Sequence, residues 1–273
     1  MKEITDEQAH KIHRIAKIGG MIGQGQFKSC YRYQNIAEQE DYAVVEDKEA
    51  LPILSQSDFE QEGAIDRPNL QGAVHKNRYL QEINKEAIQR GVLTPAIHYS
   101  GSSEGRPFVI KDMIDAPVLG YRDLYQPNAL KLFCIHQGIP FPESRKEQKE
   151  LEQLLLDYNV KGAHEIANMS NDVYERFMHD CLISSFMGIV LDHNPDNYFK
   201  KTEGIYIIDP IEVFKVSRTN PLDHLHDASI KMKQVLLAGA KSSGKFAGHK
   251  EVKREITHRC EVAKGMLEMD AVS

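Results

Sequence analysis

Residues 191–209 read LDHNPDNYFKKTEGIYIID. Asp192 is followed five residues later by the amide Asn197, and Asp209 comes twelve residues after that, at the end of the apolar run IYIID. Phosphoryl transfer needs a carboxylate that orients the attacking hydroxyl and accepts its proton. It also needs oxygen ligands that hold Mg²⁺ against nucleotide phosphates, since neutralising that charge supplies most of the catalysis. The same letters also spell a plain hairpin, with NPDN and KTEG as its turns, because Asp and Asn are ordinary turn residues. This stretch alone leaves both readings open.

A second signal lies about 170 residues upstream, where the chain reads IGGMIGQGQFKSCYRY and then, past a polar turn, DYAVVEDK. Gly23 and Gly25 alternate along a run that becomes strand-like from Phe27. Glycines there let backbone N–H groups approach phosphate oxygens with no Cβ in the way. The Gly-x-Gly loop, the Phe-x-x-x-Tyr strand, and then Asp-x-x-x-x-Asn and a strand-borne Asp resemble the motifs of protein kinases in their chain order. The resemblance spans roughly residues 18–215 and rests on motif order. It implies an α+β, two-lobed protein kinase-like fold, with a small β-rich N-lobe over 1–114 and a reduced helical C-lobe over 115–273. It implies ATP and Mg²⁺ as cofactors, with Asp192 as catalytic base and Asn197 and Asp209 as Mg²⁺ ligands. Gly23 and Gly25 would then bind the nucleotide.

The match departs from the family at a cation. Val45 in YAVV stands where the Ala-x-Lys motif puts its phosphate-binding lysine. Lys28 occupies the third position of the glycine pattern, and GQGQFK is similar to the GRGSFK loop of the With-No-Lysine kinases. Lys28 is therefore favoured as the phosphate cation, with Lys48 as the competitor.

A helix is expected over 75–90 (HKNRYLQEINKEAIQR), with Tyr79, Leu80, Ile83 and Ala87 as its apolar stripe and Gly91 and Pro95 beyond its end. The resemblance calls for a glutamate here to pair with the lysine. Glu82 is chosen over Glu86, and a solvated helix face is the alternative. TPAIHYSG and RPFVIKDMI read as two strands, the second ending in a hinge whose Lys111, Asp112 and Met113 backbone groups would meet an adenine ring. Residues 6–17 read as a short amphipathic helix.

From Asp115 the chain becomes helical, with candidates at 128–137, 145–160 and 171–191, the last delivering the chain into Asp192. Pro210 follows Asp209, so the family's Asp-Phe-Gly is Asp-Pro-Ile here. Helical patterns at 221–240 and 249–269 fill the tail, and no Ala-Pro-Glu motif follows. This resembles the shortened kinases of bacteriophages and bacterial effectors and argues against control by activation-loop phosphorylation.

The formal net charge of −6 and the lack of Lys/Arg blocks argue against nucleic-acid binding. No apolar run suits a membrane span and no signal peptide is legible, so a cytoplasmic protein, with delivery into a host cell left open, is expected. Cys30, Cys134, Cys181 and Cys260 are scattered and read as reduced core thiols. His224 and His226 sit in a helical pattern that does not favour a metal site.

The reading is an atypical protein Ser/Thr kinase that uses ATP and Mg²⁺ and acts on a Ser/Thr hydroxyl of a protein substrate, with room for an activating partner. Its alternatives are a small-molecule kinase of the aminoglycoside-phosphotransferase kind and a pseudokinase that binds without catalysis.

Overall fold

The computed structural model describes residues 4–24, 28–51, 69–121, 127–192, 194–208, 210–213, 220–241, 246 and 248–272. The chain divides into a sheet unit (1–86 and 95–114) and a helical unit (87–94 and 115–273). The architecture is α+β.

In the sheet unit, helix α1 (Asp6–Gly19) starts at a capping box in which Thr5 and Gln8 satisfy each other's backbone N–H groups. Five antiparallel strands follow: β1 (Met21–Gln24), β2 (Lys28–Asn35), β3 (Glu40–Asp47), β4 (Ile97–Ser103) and β5 (Arg106–Asp112), in the order β1-β2-β3-β5-β4. Helix α2 (Leu70–Gln89) comes between β3 and β4 in the chain. Ala9, Ile12 and Ala16 of α1 recur at helical spacing and pack with Tyr33, Tyr42, Val44, Phe108 and Ile110 of the sheet.

Strand alternation fixes the two faces of this sheet. Tyr42, Val44 and Glu46 lie on the α1 side, opposite Tyr33, Tyr31 and Ser29 of β2. Ala43, Val45 and Asp47 therefore face away from α1, and their register partners Arg32, Cys30 and Lys28 share that face.

Helix α2 begins earlier than expected, and its burial is displaced from the expected stripe. Tyr79 is exposed and Leu80 and Ile83 are half-buried, whereas Asn84 and Ala87 are buried. Asn84 explains the shift: its Nδ2 donates to Pro95 O (3.0 Å) and its Oδ1 accepts from Ile97 N (2.9 Å), pinning the start of β4.

The helical unit comprises α3 (Pro127–Gln137), α4 (Arg145–Ala167), α5 (Asn171–Phe186), α6 (Pro221–Lys241) and α7 (His249–Val272), with short strands β6 (Ile189–Leu191), β7 (Tyr198–Lys201), β8 (Gly204–Ile207) and β9 (Pro210–Val213). Phe177, Met178 and Cys181 of α5 are sealed among Met232, Val235 and Leu236 of α6 and Ile256 and Cys260 of α7. A separate cluster of Val118, Tyr121, Leu130, Phe133, Cys134, Leu151 and Leu155 joins α3 to α4.

The helix expected over 171–191 stops at Phe186. Gly188 adopts φ 70°, a left-handed geometry that suits glycine and reverses the chain, and the β-branched Ile189-Val190 pair then enters β6. Among the described residues no helix is long and apolar enough to cross a membrane.

Candidate active site

Strand β6 runs directly into Asp192. Leu191, just before it, is buried and pairs with Pro210 of β9. The next turn, Pro195–Asn197, is a single 3₁₀ turn, and Thr202–Glu203 closes the β7–β8 hairpin. Both turns of the plain hairpin reading are thus present, and they build the same loop as the catalytic reading.

Hydrogen bonds converge on the Asp192 carboxylate. Oδ1 accepts from Asn194 N (3.1 Å), while Oδ2 accepts from Asn194 Nδ2 (2.8 Å) and Asn197 Nδ2 (3.0 Å). The buried Tyr198 phenol donates to Asp192 O, and burial holds that phenol well above its ordinary pKa. These bonds fix the orientation of a carboxylate that stays partly exposed.

Asp209 lies outside the described residues, but both its neighbours are tied to this loop. Ile208 N donates to Asn197 O (3.1 Å), and Pro210 pairs with Leu191. Asp192 and Asn197 are brought together, and the chain on either side of Asp209 is anchored to them.

The oxygen set fits a hard cation. Asn197 turns its Nδ2 to Asp192, so its Oδ1 is the atom it can present to Mg²⁺. Asn194 Oδ1 is sealed from solvent and has no hydrogen-bond partner among the described residues. Among those residues no group of three His, Cys, Asp or Glu forms a metal centre. His224 is instead buried on α6, with its Nδ1 3.0 Å from Ser185 Oγ, while His226 is exposed.

Asp180 was not legible as a framework residue. It is fully buried on α5, accepts from Leu93 N (3.2 Å) and Arg176 Nε (3.3 Å), and burial pushes its carboxyl pKa up. Leu93 O in turn accepts from Ile207 N (2.9 Å), so Asp180 braces the strand that leads to Asp209.

In the sheet unit, Gly23 is buried on β1 opposite Cys30, and Gly25 lies outside the described residues. Lys28 is half-buried opposite Asp47, on the same face as Val45 and diagonal to it. Diagonal neighbours lie about 7–8 Å apart, within reach of a long side chain. Lys48 lies just past the end of β3.

The remaining expected groups lie on α2 and at the end of β5. Glu82 is exposed on α2, and Glu86, one turn on, is half-buried. In the hinge segment, Asp112 N donates to Ala96 O (3.0 Å) and Met113 N to Asp41 O (3.2 Å). These amides are spent inside the sheet unit because β5 continues through Asp112. Asp112 also binds His98 Nε2 (2.6 Å) and Ala96 N (3.1 Å) through its carboxylate. Lys111 pairs with Ala43 on the face turned away from α1.

No protein-family model and no curated protein matches the chain. Solved structures do show similarity. The pseudokinase domain of BIR2, an immune regulator of the RLK/Pelle family, aligns at 11% identity and TM-score 0.46, over 96% of this chain and 70% of that one. A point mutant of the Mycobacterium tuberculosis PknI kinase domain aligns at 13% and 0.38, over 81% and 70%. The BubR1 kinase domain aligns at 15% and 0.35, over 69% and 44%. All three TM-scores lie below 0.5, so these likenesses assign neither activity nor site residues to this chain.

Proposed function

We propose that the chain is an ATP- and Mg²⁺-dependent phosphotransferase of the protein kinase kind, acting on a protein Ser/Thr hydroxyl. The observation that carries the reading is the Asp192–Asn197 hydrogen bond, in a loop whose backbone also anchors both neighbours of Asp209. Asp192 would orient the attacking hydroxyl and accept its proton; its carboxylate is held in one orientation yet half-exposed. Asn197 and Asp209 would hold Mg²⁺, whose role is to neutralise charge on the transferring phosphate. Lys28 would hold the nucleotide phosphates from the face that Val45 shares, and Gly23 and Gly25 would supply backbone N–H groups to them. Backbone groups of Lys111, Asp112 and Met113 would meet the nucleobase edge, the Asp112 and Met113 N–H groups being already engaged.

A second reading, a pseudokinase that binds without transfer, is favoured by Val45 at the usual lysine position and by the exposure of Glu82.

Parallel incubation with γ-labelled and α-labelled ATP, Mg²⁺ and a mixed protein lysate separates these outcomes. Label on protein from the γ position alone is expected. Label from the α position would mean nucleotidyl transfer, and no label from either would favour the pseudokinase.

A further inference from the structure

The loop that holds Asp192 carries a side-chain oxygen, on Asn194, that the proposed reaction does not use. Asn194 turns both of its amide nitrogens to the Asp192 carboxylate, Nδ2 to Oδ2 at 2.8 Å and backbone N to Oδ1 at 3.1 Å. Only the amide nitrogen can donate to a carboxylate, which fixes the flip of the side chain and directs Oδ1 away from Asp192. That oxygen is closed to solvent and accepts no hydrogen bond among the described residues. A buried acceptor with no donor is destabilising, so such an atom calls for a partner, an ion or a water among them. The neighbouring groups are the Asp192 carboxylate and Asn197, whose Nδ2 also points to Oδ2. Two side-chain amides thus send their nitrogens to one carboxylate oxygen, and each keeps its carbonyl oxygen for another partner. Carboxylate and amide oxygens without nitrogen or sulfur ligands form the donor set of a hard divalent cation.

We infer that Asn194 Oδ1 is a ligand of the divalent cation bound by this loop, beside Asn197. The inference rests on the phosphotransferase reading only for the presence of the cation. It adds a ligand between the two motif residues, and it makes Asn194 both the clamp on Asp192 and part of the metal shell.

The test is an electron paramagnetic resonance titration of the full chain with Mn²⁺, with and without ATP, which reads binding independently of turnover. Asn194→Ala is expected to weaken Mn²⁺ binding by about tenfold or more. Asn194→Asp keeps an oxygen at the ligand position while removing the amide donor to Asp192, and it is expected to bind Mn²⁺ at least as well as wild type. Wild-type affinity in Asn194→Ala would overturn the inference. Equal loss in both variants would also overturn it, because the amide donor, and not the oxygen, would then be what matters. Asn197→Ala separates this outcome from failure of the functional reading: loss there with none in Asn194→Ala removes only Asn194, whereas no Mn²⁺ effect in either variant removes the cation from the loop. If the substitutions unfold the chain, Mn²⁺-loaded wild type labelled with ¹³C at asparagine side-chain carbonyls gives the answer. Hyperfine coupling to two asparagine carbonyls is expected, and coupling to one would overturn the inference.

Discussion

Asn159 is fully buried on α4, and it clamps the backbone of Tyr121: Oδ1 accepts from Tyr121 N (3.0 Å) and Nδ2 donates to Tyr121 O (3.3 Å). The amide replaces a strand partner for an irregular segment that would otherwise bury bare backbone groups. Asn159→Ala strands both groups, so a loss of about 2–4 kcal/mol is expected from urea unfolding, with the slope unchanged. A loss no larger than that of a surface substitution would show that water replaces the amide. At the proposed phosphate site, Lys28 shares a sheet face with Val45, whereas Lys48 lies beyond β3. Removing a cation that stabilises developing charge costs on the order of 10²-fold in rate. Lys28→Met should show that loss in phosphotransfer assays while Lys48→Met stays near wild type, and the reverse ranking would move the role to Lys48.

At the scale of elements, α1 is held to the sheet by charge as well as by apolar contact. Glu46 is 2% exposed on β3, with His13 Nε2 at 2.8 Å, Lys17 Nζ at 3.2 Å and Arg106 Nη1 at 3.9 Å. His13 also stacks on Phe108, with ring centroids 4.5 Å apart. Burial lowers the His13 pKa from its ordinary 6.5, outweighing the hydrogen bond to Glu46. In the unfolded chain His13 titrates near 6.5, so as pH falls through that value the unfolded state takes up a proton that the folded state resists. The stability tied to neutral His13 is therefore fully present above about pH 6.5 and is lost as pH falls through the lowered folded value. The urea midpoint should drop as the solution is taken from about pH 7 toward about pH 5, and His13→Gln should remove part of that slope. An unchanged slope in the variant would clear His13. The end of α5 follows a different logic, in which Gly188 at φ 70° stops the helix although the apolar spacing runs on toward Leu191.

At the scale of the whole molecule, ligand binding should be visible as stability. A ligand at about 100 times its Kd adds about 2.7 kcal/mol. For a chain of this size that corresponds to a rise in Tm of roughly 5–10 °C. Mg²⁺ with ATP should produce such a rise in wild type. Asp192→Ala should keep it and lose turnover, because a proton acceptor acts only during transfer. Asp209→Ala should lose the Mg²⁺-dependent part, because a metal ligand acts in the bound ground state. Loss of the shift in Asp192→Ala and its survival in Asp209→Ala would invert the assignment.

Local chemistry made much of this protein legible in its sequence. The order of strands and helices, the β5 strand through Asp112, the KTEG turn and the Asp192–Asn197 loop all follow from periodicity, turn residues and motif spacing, which act within a few residues of one another. The polar interior did not follow. Periodicity and motif spacing single out none of Glu46, Asn84, Asn159 and Asp180, yet each is buried where a partner from another element satisfies it. The same holds for the face of α2 and for Asn194, which spacing alone presents as a turn residue. A polar group can be buried without large cost only where donors and acceptors meet in space. Those meetings are set by the tertiary fold and leave no periodic trace along the chain.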